Sequence, residues 1–153
     1  MPQAWSAGAL VFWALVVAGS DIRQRRVPNS FLLPVFVVAA VIQLTEGHGI
    51  LGTSATDALF GMTVGAVLPF SGYLMRQLGA GDVKYAAVIG LLCGLAGILQ
   101  IILWSALALG LISTAAWAWS RWREPLARRL PAAVAISAGF VAHLILSGSF
   151  GGI

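Results

Sequence analysis

Charge is what this sequence has least of. Only 9% of the 153 residues are Asp, Glu, Lys or Arg, against 59% hydrophobic residues and a mean hydropathy of +0.93. Soluble domains carry about 25% charged residues, so this composition leaves a water-exposed surface largely uncovered and excludes a soluble globular fold. The bilayer is the solvent for most of the chain. Cysteine is as scarce: the lone Cys93 supports neither a disulfide framework nor a zinc site. No basic residue precedes the first apolar stretch, and its positive charges follow it. That order is the reverse of a cleavable signal peptide and predicts a retained first helix with its N-terminus outside. The net charge of +4 and the pI near 10.2 call for no nucleic-acid partner, because basic membrane-flanking loops account for the excess.

The few charges present delimit the crossings. Long uncharged runs cover residues 1–20, 27–45, 58–75, 85–120 and 130–153. A helix needs about 20 apolar residues to cross a hydrocarbon core about 30 Å thick, and four of the runs suit one crossing each. The run 85–120 would measure about 54 Å as one helix at about 1.5 Å per residue, and is predicted to double back. Gly90, Gly94 and Gly97 mark the reversal, around residues 93–97. The expectation is an all-α polytopic membrane protein, one domain over residues 1–153, with six transmembrane helices near 4–20, 28–44, 57–75, 83–95, 98–119 and 130–147.

Orientation follows from the nine Lys and Arg residues. They fall at Arg23, Arg25 and Arg26, at Arg76 and Lys84, and at Arg121, Arg123, Arg128 and Arg129. With six crossings these segments share one side, and the opposite loops, Glu46 to Asp57 and the glycine reversal, carry no Lys or Arg. Positive-inside bias then places the basic loops in the cytoplasm and both termini outside. Five crossings would put the last basic loop on the wrong side.

Two aspartates occupy junctions between the basic loops and the helices. Asp21 follows the first apolar run, and Asp82 precedes the fourth within Gly79-Ala-Gly-Asp-Val-Lys. Six crossings put both at one depth on one face. Two carboxyls so placed suit an acid–base hydrolase: the ionised one takes a proton from water, and its protonated partner polarises the scissile carbonyl. Like charges held close do not both ionise readily, so such a pair shares a proton and titrates as a unit. Glycines on either side of Ala80 allow close backbone approach, and an extended peptide can lie along such a loop. A plainer reading pairs Asp21 with Arg25 and makes Asp82 a helix cap.

Around these residues the chain resembles the type IV prepilin peptidases, membrane aspartic proteases with a Gly-x-Gly-Asp signature. Asp21-Ile-Arg-Gln-Arg-Arg-Val-Pro-Asn is similar to the family's first block and Gly79-Ala-Gly-Asp-Val-Lys to its second. Leu130-Pro131-Ala-Ala-Val-Ala-Ile136-Ser-Ala-Gly139 is similar to its last helix. The resemblance implies a multi-pass protein of the bacterial inner (cytoplasmic) membrane. It implies cleavage of the short basic leader of prepilin-like proteins at the cytoplasmic face, just before the substrate's hydrophobic helix. It assigns Asp21 and Asp82 as the catalytic pair, and Pro28, Asn29, Gly79, Gly81 and Lys84 as substrate-binding or site-shaping residues. No cofactor and no metal are expected; the partners are the prepilin-like substrate and the lipid bilayer. Longer members carry a cytoplasmic segment after the first helix, often with cysteines, and also N-methylate the product. Here that loop is residues 21–29 without cysteine, as in the short form of tight-adherence (Flp) pilus systems, so peptidase activity without methyl transfer is expected. A small transporter relaying protons through the aspartates, and an inactive pilus-assembly scaffold, are the competing readings. Transporter charges usually lie near the midplane, often with internal repeats, and neither feature is found.

Other conspicuous residues are read structurally. His143 lies about 18 Å along a helix from Pro131 at about 1.5 Å per residue, far from the cytoplasmic end, and is expected in a hydrogen-bonded packing or outer-interface role. Cys93 is expected to be a buried, inert thiol. Pro34 and Pro69 are tolerated inside spans, and Gly61 and Gly65 suit close helix contact, within or between chains. Trp13 and Trp104 are expected to pack within the bundle, and Trp5, Trp117, Trp119 and Trp122 at the interfaces. Arg121 to Arg129 form a basic loop suited to anionic headgroups.

Overall fold

The computed structural model describes residues 2–24, 28–76, 78–120 and 132–147, and these form helices α1 (Pro2–Gln24), α2 (Asn29–Glu46), α3 (Ala55–Leu74), α4 (Ala80–Ser120) and α5 (Ala132–Leu146). Arg25, Arg26, the basic loop from Arg121 to Arg129 with Trp122, and Pro131 lie outside the described residues, as do the side chains of Trp5, Trp117 and Trp119. No strand occurs among the described residues beyond an isolated bridge between His48 and Ser54. By length and composition four stretches can cross a membrane, Ser6–Arg23, Asn29–Glu46, Ala55–Leu74 and Ala80–Leu111, and Ala133–Leu146 is a shorter apolar helix. Large apolar side chains cover their outer faces: Phe12, Leu44 and Leu111 are 70%, 86% and 71% exposed. Water would penalise that distribution and lipid does not.

The helix starts and stops follow local chemistry. Pro28, in extended conformation (φ −67°, ψ 134°), precedes α2, and Gly47 closes that helix with a left-handed φ of 71°. Ser54 caps α3 by accepting the Asp57 N–H at 3.3 Å. Pro34 and Pro69 lie inside continuous helices.

Helix α4 is the centre of the molecule: an 18-residue stretch within Ala80–Leu111 is 56% buried, against 11% of Asn29–Glu46. It is also where the chain doubles back. Gly94 leaves helical geometry (φ 71°, ψ −174°), inside the predicted window of residues 93–97. The packing on either side of Gly94 demonstrates the return. A Cβ on Gly65 would collide with the Ala86 carbonyl oxygen and lie 3.2 Å from Ile98 Cγ1. In one straight helix, positions 12 apart stand about 18 Å from each other at about 1.5 Å per residue, so both touch Gly65 only because the arms 80–93 and 95–120 run side by side.

Small residues make that return possible. Helices in lipid gain little from apolar burial and associate through close packing. Gly61 lies against the backbone of Gly90 and Gly94, and Gly65 against that of Ala86. The Gly61–Gly65 pair thus serves contact within the chain. Asp57 Oδ1 accepts the Leu95 N–H at 3.1 Å, capping the returning arm. Helix α5 then packs antiparallel to that arm: Ser105 Oγ donates to the Ala135 carbonyl at 3.0 Å, and His143 Nδ1 bonds Gln100 Oε1 at 3.0 Å. The bundle has two distinct ends. One gathers the C-terminus of α1 and the N-termini of α2, α4 and α5; the other gathers the N-terminus of α3, Gly94 and the C-terminus of α5.

Candidate active site

Asp82 sits in the first turn of α4, three residues after Gly79. Its Oδ2 accepts the Gly79 N–H at 2.9 Å, and the Gly79 carbonyl accepts the Asp82 N–H at 3.1 Å. A third-position carboxylate reaching back to the capping residue is half of a capping box, so the plainer reading of Asp82 as a cap holds. It occupies one oxygen; Oδ1 has no hydrogen bond among the described residues. Gly79 permits the arrangement, because a Cβ there would stand 3.3 Å from Asp82 Oδ2.

Asp21 is in the last turn of α1 and is 7% exposed, with Asp82 at 9%. The backbone of Ala133, at the start of α5, hydrogen-bonds its carboxylate. Its Oδ2 is buried and has no hydrogen-bond partner among the described residues. The Asp21 carboxyl lies near enough to act electrostatically on that of Asp82. Neither forms an ion pair among the described residues, where the pairing found is His48 with Glu46. Three helix ends thus bring together two buried carboxyls that, among the described residues, face no cation and each keep one oxygen without a hydrogen bond. Leaving such a group unsatisfied costs about 1–3 kcal/mol, a disposition suited to a site that takes up a ligand or shares a proton.

Lys84 and Asn29 are brought together, the ammonium donating to Asn29 Oδ1 at 3.2 Å. They join the start of α2 to the start of α4, at the head of an apolar groove of about 440 Å³ lined also by Leu32, Leu33, Phe36, Ala87 and Val88. Pro28 immediately precedes this pair, and Gly81 lies half-exposed in the first turn of α4. No hydrogen bond joins Asn29 or Lys84 to either aspartate among the described residues.

Beneath the carboxyls lies a set of contacts that the sequence did not announce. The hydroxyls of Tyr85 and Ser137 are 2.8 Å apart, and Ser137 Oγ donates to the Ala14 carbonyl at 3.2 Å. Trp13 packs edge-on against Tyr85, with centroids 5.3 Å apart, and donates its indole N–H to the Phe31 carbonyl at 2.8 Å. The expected packing role of Trp13 is met. That of Trp104 is corrected: it is 45% exposed, because a tryptophan within a span can face lipid as readily as protein.

Fold and site together define a membrane-embedded helical protein with a paired-carboxyl site at one end of its bundle. A sequence profile of the type IV leader peptidase family matches residues 8–114, and the chain belongs to that family. It is 34% identical over 126 residues to a prepilin leader peptidase/N-methyltransferase of Xanthomonas campestris pv. campestris, an alignment covering 76% of this chain and 42% of that protein. The chain thus spans about two fifths of the length of that relative. No solved structure matches it.

Proposed function

We propose that this protein is a membrane aspartic endopeptidase that removes the short basic leader from prepilin-like proteins at the cytoplasmic face of the bacterial inner membrane, without N-methylating the product. The observation that carries the reading is the convergence of two buried carboxyls, Asp21 and Asp82, which form no ion pair among the described residues and act electrostatically on each other. In the proposed reaction the ionised carboxyl takes a proton from water as the water attacks the scissile carbonyl. The protonated carboxyl donates a hydrogen bond to the developing oxyanion, and the proton then passes to the leaving amine. The first turn of α4, with Gly79 and Gly81, offers backbone along which an extended leader can lie. Lys84, Asn29 and Pro28 shape the approach. Membership of the leader peptidase family supports the substrate class.

The doubled-back α4 supports the six-crossing arrangement with both termini outside, since it returns the chain to the end from which α5 begins. The transporter reading receives no support from the site, because both carboxyls lie in terminal turns of their helices rather than at mid-span.

Co-expression with a prepilin-like substrate tests the proposal, comparing wild type with Asp21→Asn and Asp82→Asn. Asparagine keeps the size and loses the shared proton. A shortened pilin is expected only with wild type, and normal processing by either variant sinks the dyad assignment. Cleavage is expected to be insensitive to chelators. Transfer of labelled methyl groups from S-adenosylmethionine to processed pilin by this protein alone would refute the absence of methylation.

A further inference from the structure

The Asp21 and Asp82 carboxyls sit on separate helices, and a water-activating pair depends on their separation. Three groups define the site's frame: the two carboxyls and the Ala133 backbone group that bonds Asp21. Each has a counterpart one or two turns deeper in the bundle. Tyr85 follows Asp82 by three positions, Ser137 follows Ala133 by four, and Ala14 precedes Asp21 by seven. Offsets of three, four and seven return to the same helix face, here about 4.5, 6 and 10.5 Å along the axis at about 1.5 Å per residue.

Those three deeper residues are joined to one another. Ser137 has one hydroxyl hydrogen, and it goes to the Ala14 carbonyl at 3.2 Å. Tyr85, 2.8 Å away, therefore donates its own hydrogen to Ser137 Oγ. The result is a directed relay, Tyr85 to Ser137 to the Ala14 carbonyl, crossing α4, α5 and α1. Tyr85 is fully buried and Ser137 is 3% exposed. Phenylalanine and alanine would fill nearly the same space with no polar group to satisfy. What the hydroxyls add is direction, fixing the rotation and depth of three helices relative to one another. The edge-on contact of Trp13 with the Tyr85 ring, and its bond to the Phe31 carbonyl, extend the belt to α2, two residues from Asn29.

We infer that Tyr85 is a positioning residue of this peptidase, holding through Ser137 the relative placement of the Asp21 and Asp82 carboxyls. The inference rests on the proposed peptidase reading for its catalytic consequence, but not for its geometric one. It is tested with Tyr85→Phe, Ser137→Ala, the double variant and Ser137→Thr, which keeps the hydroxyl, each reconstituted in liposomes with a prepilin-like substrate. Because misplacement by about 1 Å can cost about a hundredfold in rate, kcat is expected to fall about tenfold to a hundredfold while KM stays within about twofold. The double variant should be no worse than the poorer single one, and Ser137→Thr should recover most of the rate. Losses that multiply in the double variant, or an unchanged kcat in Tyr85→Phe, would overturn the inference.

A readout independent of cleavage separates this inference from the peptidase reading. In a Cys93→Ala background carrying Asp21→Cys and Asp82→Cys, oxidation should cross-link the two positions rapidly. Adding Tyr85→Phe or Ser137→Ala should slow that cross-linking several-fold. Equal rates with and without the hydroxyls sink the positioning role, whether or not the protein cleaves prepilin. Slowed cross-linking in a protein whose wild type cleaves no prepilin would uphold the positioning role and count against the peptidase reading.

Discussion

The two ends of the bundle each present aspartate at a helix terminus, one half-buried and the other buried as a pair. At the Gly94 end, Asp57 is engaged: Oδ1 accepts the Leu95 N–H, Oδ2 lies against Gly94, and its own amide is donated to the Ser54 cap. At the other end, among the described residues, Asp21 keeps a buried oxygen without a hydrogen bond, and Asp82 commits one oxygen to Gly79 while lying close to a second carboxyl. The first arrangement satisfies backbone that a reversal inside the bilayer would otherwise leave exposed, which lipid does not tolerate. The second leaves polar capacity unused in a place where burial makes that costly. The carboxylate that closes a turn and the pair proposed to serve a reaction thus differ in burial and in company: Asp57 is half-buried, whereas Asp21 and Asp82 are buried and act on each other.

The largest expected effect tests that contrast directly. Asp21→Asn and Asp82→Asn should each lower cleavage by about 10²- to 10⁴-fold, the range for losing a general acid or base, with the thermal midpoint in detergent nearly unchanged. Asp57→Asn, which keeps an acceptor oxygen for Leu95, should retain near-normal cleavage. If Asp57→Asn abolished cleavage without unfolding, the division between the ends would fail.

Next in size is Gly94. Its φ of 71° disfavours any L side chain, and a Cβ there would collide with Asp57 Oδ2. Gly94→Ala should destabilise the fold by about 1–3 kcal/mol, the usual cost of a strained backbone position. Asp57→Ala, which leaves the Leu95 N–H without its cap, should cost about 0.5–2 kcal/mol. Both should lower the amount of folded protein, measured by thermal unfolding, and leave the rate per folded molecule unchanged. A fall in that rate equal to that of the Asp21 variant would show that the reversal end takes part in the chemistry.

Much of this contrast was legible in the sequence, and the part that was not has a common cause. The reversal could be placed at residues 93–97 because an uncharged run of that length does not fit one crossing and glycine is where it can break. Asp21 and Asp82 stood out because charge is rare in this chain. The start of α4 at Ala80 rather than residue 83 follows from the cap between Gly79 and Asp82, a local bond that hydropathy does not register. Asp57 looked like an ordinary loop charge, since its partner Leu95 lies 38 positions away. Tyr85 gave no signal, and Ser137 stood out only as one residue of the Leu130–Gly139 block: both sit in apolar runs, and 52 positions separate them. Lys84 and Asn29 were singled out, but not as partners, for the same reason. Sequence reveals what each residue needs, and long-range pairing decides which residue supplies it.

The smallest effect concerns His143, the residue at the Gly94 end that most resembles a catalytic group. Its Nδ1 bonds Gln100 Oε1 at 3.0 Å, and its Nε2 would stand 3.1 Å from a Cβ on Gly97. It belongs to the contact between α5 and the returning arm of α4, at the opposite end of α5 from Ala133. Side-chain hydrogen bonds between membrane helices average about 0.6 kcal/mol, so His143→Leu should lower stability by about that much. Cleavage should be preserved at every pH at which the wild type is active, because no proton in the reaction passes through the ring. A loss of cleavage approaching that of Asp82→Asn, or a shifted pH profile in a folded His143→Leu protein, would make the far end part of the active machinery and dissolve the contrast between the two ends.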